Sequence, residues 1–323
     1  MARIVVTGGV GFIGYHTAHA LLSRGDEVTV VDDFSAAPYP RAEKERNERD
    51  LLTAFSSVTV VRGCVTDRAA MEPVIGGADA VIHLAGLAGV RPSFSDPVRY
   101  ARVNVEGTAL VVELARQRGI GRVLFASSSS VYGNATPLPA REDAPAVVPE
   151  SPYAASKRGA ELVAGAICRN ASPNANGMRC SALRFFTVYG ARQRPEMAIT
   201  RFMRAALAKQ PITMFGDGSM RRDFTHVADI VRGVVAALDH DGPPGYGVYN
   251  LGSGAPVDLA ALVEAIGATA GVPLEIERVP VPLGDVDATF ADITRARGEL
   301  GWSPRVSLAE GLRDVLTWVQ EHP

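Results

Sequence analysis

A doubly wound parallel α/β sheet is the fold class this sequence predicts, and three observations predict it. The chain opens on an apolar run, Arg3-Ile4-Val5-Val6-Thr7, that passes directly into a glycine-rich turn. A second apolar run, Glu27-Val28-Thr29-Val30-Val31-Asp32, ends in an acid. Through the first half, apolar runs alternate with amphipathic stretches, which implies parallel pairing with right-handed crossovers.

Taken in order, Arg3–Thr7 reads as a buried strand, and Gly8-Gly9-Val10-Gly11-Phe12-Ile13-Gly14 leads from it into a helix. Glycines at 8, 11 and 14 permit a tight turn and a close backbone approach, and a helix N-terminus attracts a pyrophosphate. The spacing is Gly-x-x-Gly-x-x-Gly instead of Gly-x-Gly-x-x-Gly, but with strand, turn and helix in order it reads as the dinucleotide turn of a Rossmann-type sheet. Asp32 stands where a carboxylate takes the adenosine ribose hydroxyls and repels a 2′-phosphate, which argues for NAD over NADP. Asp33 is either a solvated neighbour or shares that task. Residues 38–50 are charged and poor in hydrophobes, and read as an exposed loop or a short solvated helix. Strands are expected at 58–61, 80–84 and 123–126, and helices over 97–118 and 152–169. Residues 170–177 form a turn-rich break before a strand at 181–185.

Beyond about residue 186 the segments shorten. Leu259, Leu262, Val263 and Ile266 follow an i, i+3, i+4, i+7 pattern, a helix with one buried face. The expected division is a dinucleotide-binding unit over 1–186 and a smaller C-terminal α/β substrate-binding lobe over 187–323, with the two interleaved.

Bulk properties narrow the function. A chain of 323 residues is long enough for about two domains. A net charge of −2 provides no general field for nucleic acid or an anionic membrane. No stretch approaches the roughly 20 apolar residues that span a bilayer. With the first strand at the start of the sequence, no signal peptide is expected. Cys64, Cys168 and Cys180 are too few and too scattered for a disulfide framework or a metal site, and the histidines lack a His-x-x-x-His spacing. The expectation is a soluble, cytoplasmic protein without a metal, a nucleic-acid partner or a membrane.

Chemistry concentrates in residues 126–157. Ala126-Ser127-Ser128-Ser129-Ser130-Val131-Tyr132-Gly133 is a hydroxyl-rich strand end, followed by Tyr153-Ala154-Ala155-Ser156-Lys157. On a helix Lys157 lies beside Tyr153, and a fixed cation favours a phenolate. Tyrosine titrates at about 10, so a base working at about pH 7 needs a shift worth about 4 kcal/mol. The ammonium and the positive nicotinamide of an oxidised cofactor are the expected sources.

Together these motifs resemble the extended short-chain dehydrogenase/reductase family of nucleotide-sugar epimerases and dehydratases. The resemblance runs from Thr7 to about Asp292. Ala88-Gly89-Val90-Arg91-Pro92-Ser93, the serine run and Leu183-Arg184-Phe185-Phe186-Thr187-Val188-Tyr189-Gly190 look most like its UDP-glucuronate 4-epimerases, as do Arg194-Pro195-Glu196-Met197-Ala198 and Arg221-Arg222-Asp223-Phe224-Thr225. The resemblance implies Ser128, Tyr153 and Lys157 as the catalytic group. It implies cofactor contacts at Gly8, Gly11, Phe12, Ile13, Gly14, Asp32, Val65, Leu84, Ala85, Gly86 and Asn104, together with Tyr153 and Lys157. For the substrate it implies Arg91, Ser128, Ser129, Ser130, Tyr153, Thr187 and Arg194. Thr213, Met214 and Phe215 fall where the family packs uracil, Arg222 resembles the arginine on the pyrophosphate, and Asp285 matches a residue near the nucleotide ribose. A homodimer through a four-helix bundle is also implied, built on the helices after Pro97 and Pro152. Leu110, Val111, Leu114, Leu162 and Val163 either form its seam or face their own sheet.

Within that family the residues after the catalytic serine discriminate reactions. Dehydratases resemble this site but carry an Asp-Glu pair there, and sugar-acid decarboxylases place Glu directly before Val-Tyr-Gly. Here those slots are Ser129 and Ser130. The resemblance therefore implies NAD-dependent C4 epimerisation, with UDP-glucuronate favoured and Arg194 on its carboxylate. A neutral UDP-hexose or N-acetylhexosamine is the first alternative, followed by a nucleotide-sugar decarboxylase or dehydratase and then by a non-catalytic NAD-binding protein. Cys64 stands where relatives carry an Asp toward adenine, and Pro282 where many have a polar residue, which leaves both UDP and dTDP open.

Overall fold

The computed structural model describes residues 1–36, 39–146, 148–169, 177–280 and 286–322. Its centre is a sheet of seven parallel strands. Six come from residues 1–186: β1 (Arg3–Thr7), β2 (Glu27–Asp32), β3 (Val58–Arg62), β4 (Ala80–His83), β5 (Arg122–Ser128) and β6 (Arg179–Phe185). The seventh, Gly245–Leu251, comes from beyond residue 186 and pairs along β6 from Gly245↔Arg179 to Leu251↔Phe185. The spatial order is Gly245–Leu251, β6, β5, β4, β1, β2, β3. The order reverses direction between β4 and β1, where a doubly wound sheet opens its ligand crevice at the carboxyl ends of the strands.

Helices cover both faces. They are α1 (Phe12–Arg24), α2 (Arg41–Ala54), α3 (Arg68–Ile75), α4 (Val90–Ser95), α5 (Pro97–Ala101), α6 (Gly107–Gln117) and α7 (Pro152–Arg169) in the first half. On one face α1 packs beside the helix Val227–Asp239; on the other α6 packs beside α7. Strands buried on both sides need apolar residues on both, and the two cores divide them by parity. Ile4, Val6, Val28 and Val30 face one, while Val5, Val31, Val81 and Val123 face the other. A third core joins Phe202, Met203, Leu262, Ile266, Leu312 and Val315 beyond the sheet. Leu262, Val263 and Ile266 form the buried stripe expected for that helix, Leu259–Ala270.

Residues 97–117 are helical throughout, as expected, with a π-helical turn, Arg102–Glu106, between α5 and α6. Residues 38–50 mostly lie in α2, which buries Lys44, Asn47 and Leu51 instead of standing free in solvent. Val111 and Leu114 are fully buried against their own sheet, so they are not seam residues, whereas Leu162 is 54% exposed. Residues 170–176 and Asp285 lie outside the described residues. Among the described residues no helix is long and apolar enough to cross a membrane, and no cluster of His, Cys, Asp or Glu is arranged to hold a metal.

Candidate active site

A cavity of about 620 Å³ runs along the carboxyl ends of the strands, from the turn after β1 to the third core. At its first end Gly8 has φ +69°, and a Cβ there would meet the Ala85 backbone nitrogen at 2.6 Å. A Cβ on Gly14 would lie 2.0 Å from the Gly8 carbonyl oxygen. Glycine is obligatory at both. Gly11 forms the N-terminus of α1 without a side-chain cap, so the first amides of that helix remain available to an anion.

Asp32, at the end of β2, is nearly buried and already bonded. Its Oδ1 accepts from the Phe34 amide at 3.0 Å and from Lys44 Nζ at 2.8 Å. Lys44, from α2, is a wall residue the sequence reading missed. An isolated lysine in a charged helix looks solvated until the fold brings it against β2. Val65, Leu84, Ala85 and Gly86 line the next stretch. Asn104 does not line it. It is buried in the π turn, taking the Leu87 amide at 2.8 Å on Oδ1 and donating from Nδ2 to the Leu87 carbonyl and Ser156 Oγ. Asn104 thus fastens the wall segment to α7.

Beyond this wall lies the catalytic candidate. Ser128 ends β5 and caps the short turn Ser129–Tyr132 by accepting from the Ser130 amide. Ser128, Ser129, Ser130, Tyr153 and Lys157 all face the cavity. The Tyr153 ring packs edge-on against Tyr100, with centroids 6.2 Å apart. Burial raises the Tyr153 phenol above its ordinary value, opposed by a hydrogen bond with Ser128 and the charge of Arg194. Lys157 Nζ donates to the Ala126 carbonyl at 2.9 Å, and burial lowers it to about 8, with Glu161 opposing. The ammonium is therefore held by the strand, one helical turn from the phenol. The geometry leaves the tyrosine protonated near neutrality until further positive charge enters the cavity.

At the far end Thr187, Arg91, Arg194, Phe215 and Arg222 line the wall. The Arg91 guanidinium lies 4.2 Å over the Phe215 ring. Arg194 pairs with Glu196 at 3.3 Å and points an Nη toward the Ala88 carbonyl. Thr213, Met214 and Phe215 do not act as one group. They lie on the strand Ile212–Phe215, whose alternation turns Met214 into the third core and Phe215 to the cavity. Thr213 offers its carbonyl to Arg201, a cavity arginine with no motif around it in the sequence. Cys64 lines the cavity, where its thiol contacts the Thr66 hydroxyl. His83 and His226 are structural. His83 bridges Thr7 and Thr108, and His226 caps the helix Val227–Asp239 and contacts Asp314.

The arrangement can therefore seat an extended anionic dinucleotide against the glycine turn and a second phosphate-bearing ligand beside the arginines, with Tyr153 between them. Comparison with known proteins agrees. The family model described as "NAD dependent epimerase/dehydratase family" matches residues 4–252. A UDP-glucuronate 4-epimerase of Thermodesulfobacterium geofontis is 36% identical, covering 100% of this chain and 97% of its own length. A UDP-glucose 4-epimerase of Erwinia amylovora is 33% identical, covering 99% and 98%. The crystal structure of UDP-glucuronic acid 4-epimerase from Bacillus cereus, in complex with UDP-glucuronic acid and NAD, superposes with a TM-score of 0.91 at 32% identity, covering 99% of both chains. The chain belongs to the NAD dependent epimerase/dehydratase family.

Proposed function

We propose that this protein epimerises UDP-glucuronate at C4 to UDP-galacturonate, using NAD that is regenerated in every turnover. One observation carries the reading: Tyr153 faces a cavity with Ser128, Ser129 and Ser130, where a dehydratase or decarboxylase would need a carboxylate on the sugar ring. The residues fit the cofactor. Gly8 and Gly14 let the turn close against the Ala85 and Gly8 backbone, the N-terminus of α1 supplies amides for a pyrophosphate, and Asp32 would take the ribose. NAD held there would supply a reversible hydride acceptor for the sugar C4.

The protein side of the reaction follows from the geometry. Tyr153 Oη takes the C4 hydroxyl proton as the C4–H bond breaks, and the oxygen becomes a ketone. Ser128, hydrogen-bonded to the phenol, holds that oxygen in line. After the sugar turns its other face, Tyr153 gives the proton back. A 4-keto uronate is a β-keto acid, so the site must keep its carboxylate out of alignment with the carbonyl. Arg194, Thr187 and the serines are assigned that task, Arg91, Phe215 and Arg222 the nucleotide, and Met214 only a backbone contribution.

Residues 1–186 hold the cofactor and 187–323 the nucleotide sugar, interleaved through the seventh strand. A homodimer pairs α5, α6 and α7 with their copies, using exposed apolar positions such as Val98 and Leu162. The protein works in the cytoplasm, consistent with free thiols at Cys64, Cys168 and Cys180.

Incubating the protein with a panel of UDP-sugars, without added reductant, tests the reading. C4 epimers of UDP-glucuronate are the expected product. A UDP-pentose as main product, or no turnover, overturns it. The Arg194–Glu196 pair favours one alternative, a neutral UDP-hexose substrate, because that guanidinium already has a counter-ion. Turnover of UDP-glucose alone would establish it.

A further inference from the structure

One turn beyond Lys157 on α7, and on the side away from the cavity, lies the most deeply buried charge cluster around the site. Glu161 and Arg184, the latter on β6, are each only 1% exposed. Arg184 donates to both Glu161 oxygens, from Nε to Oε1 and from Nη2 to Oε2, each at 2.8 Å. Ser127 Oγ donates to Oε1 at 2.5 Å, and Arg158 Nη1 to Oε2 at 2.9 Å. The Arg184 guanidinium also lies 4.7 Å over the Tyr132 ring. The carboxylate thus ties together the helix that carries Tyr153 and Lys157, the residue before Ser128, and the neighbouring strand.

A buried ion pair repays its desolvation only with good geometry and further hydrogen bonds, and this carboxylate has both. The surroundings of Lys157 give its charge a use. On its own helix it meets Tyr153, Arg158 and Glu161. From β4 comes His83, which burial keeps neutral by lowering it to about 3. From β5 come the Ala126 carbonyl, Ser127 and Ser128; from the wall, Gly86 and Asn104, whose Oδ1 lies 2.9 Å from a Cβ built on Gly86 and Nζ 3.0 Å. From β6 comes Arg184, and from the loop beyond β6 Arg194 acts on Tyr153. The seventh strand brings Tyr246 and β6 brings Cys180, both kept protonated by their surroundings. Among these described groups Glu161 is the one anion facing a crowd of cations.

We propose that Glu161 is a positioning residue of the reaction: its carboxylate, locked by Arg184, Arg158 and Ser127, keeps the Lys157 ammonium charged and the Ser127-Ser128 strand end in place. The inference rests on the reading of Tyr153 and Lys157 given above. It adds that the alkaline limit of the enzyme is set by a residue that touches neither substrate nor cofactor. The direction is fixed by charge. Without Glu161, Lys157 faces Arg184 uncompensated and loses its proton at lower pH. A neutral lysine no longer supports the phenolate, so Tyr153 ionises at higher pH.

The experiment compares kcat against pH for the NAD-loaded wild type, Glu161→Gln and Arg158→Gln. In Glu161→Gln the alkaline limb moves down by about one pH unit or more. Arg158 is partly exposed and competes for the same carboxylate, so Arg158→Gln moves the limb up. Near-ultraviolet phenolate absorbance, corrected with Tyr153→Phe, follows Tyr153 directly without substrate. Its midpoint rises in Glu161→Gln. A role limited to holding the fold predicts a pH-independent loss of rate, and an unmoved alkaline limb in a folded, NAD-retaining Glu161→Gln protein overturns the proposal. Should Glu161→Gln not accumulate as folded protein, an unmoved limb and midpoint in Arg158→Gln overturn it equally. Failure of the wild type to epimerise any UDP-sugar, by contrast, overturns the functional reading itself.

Discussion

Lys44 Nζ sits 2.8 Å from Asp32 Oδ1, and both side chains are almost wholly buried at the mouth of the cavity. The acid assigned to the adenosine ribose is therefore neutralised before any cofactor arrives, and its second oxygen is the one left to accept ribose hydroxyls. Replacing Lys44 by Met removes one partner of a buried pair, a change that costs about 3–5 kcal/mol. Chemical denaturation should show a loss of that order, with weaker NAD retention. Unchanged stability and NAD affinity in Lys44→Met would show that the pair is idle.

Tyr153→Phe should lower kcat by about a hundred- to ten-thousandfold, the usual worth of a positioned proton-transfer group. The glycine turn, Asp32 and Lys157 are untouched, so NAD should remain bound and measurable by release on denaturation. Near-normal turnover would remove Tyr153 from the role of base.

Arg194 and Glu196 should act in opposite senses on substrate choice. A charge-assisted hydrogen bond to a desolvated carboxylate is worth about 1.5–3 kcal/mol. Arg194→Ala should thus lose about ten- to a hundredfold in kcat/KM on UDP-glucuronate, little on UDP-glucose, and release more UDP-pentose per turnover. Glu196→Gln frees the guanidinium and should favour the uronate. Equal losses on both sugars, with an unchanged pentose fraction, would make Arg194 a loop residue only.

Acid should destabilise the fold from mildly low pH. Burial holds His83 down to about 3 from an ordinary 6.5, with Lys157 adding to the effect, and Thr7 and Thr108 satisfy its neutral ring. Between those values the unfolded chain binds the extra proton, so stability falls as pH falls, by about 1.4 kcal/mol per unit for one such group. Burial lowers His16 in the same direction, to about 4. Urea unfolding at pH 7 and pH 5 should show the drop, and His83→Gln should flatten it. An equal slope in that variant would place the acid sensitivity elsewhere.

The sheet and the two motifs were legible because their signals are local. Alternation, glycine spacing and an i, i+4 pair can be read within a dozen residues. What escaped depends on contacts across the fold. Lys44 meets Asp32 only because α2 folds back over β2, and Arg201 reaches the cavity from a helix with no motif. The inward turn of the Met214 side chain is hidden for a different reason: a motif of three consecutive residues does not say which of them a pleated strand aims at the cavity. Tyr153 and Lys157 stand one turn apart on α7 and line the same cavity, but the lysine's hydrogen bond goes to Ala126.

The strand Gly245–Leu251 also bears on how this chain comes to be folded at all. All seven of its residues pair with β6, itself paired on its other side with β5. A nascent chain that has emerged only as far as β6 presents a bare seven-residue edge, open to pairing with any other strand until some sixty more residues follow. Cutting the gene at residue 186 would make that interval permanent. Such a fragment should aggregate instead of folding, even though it carries every motif by which the cofactor site is recognised.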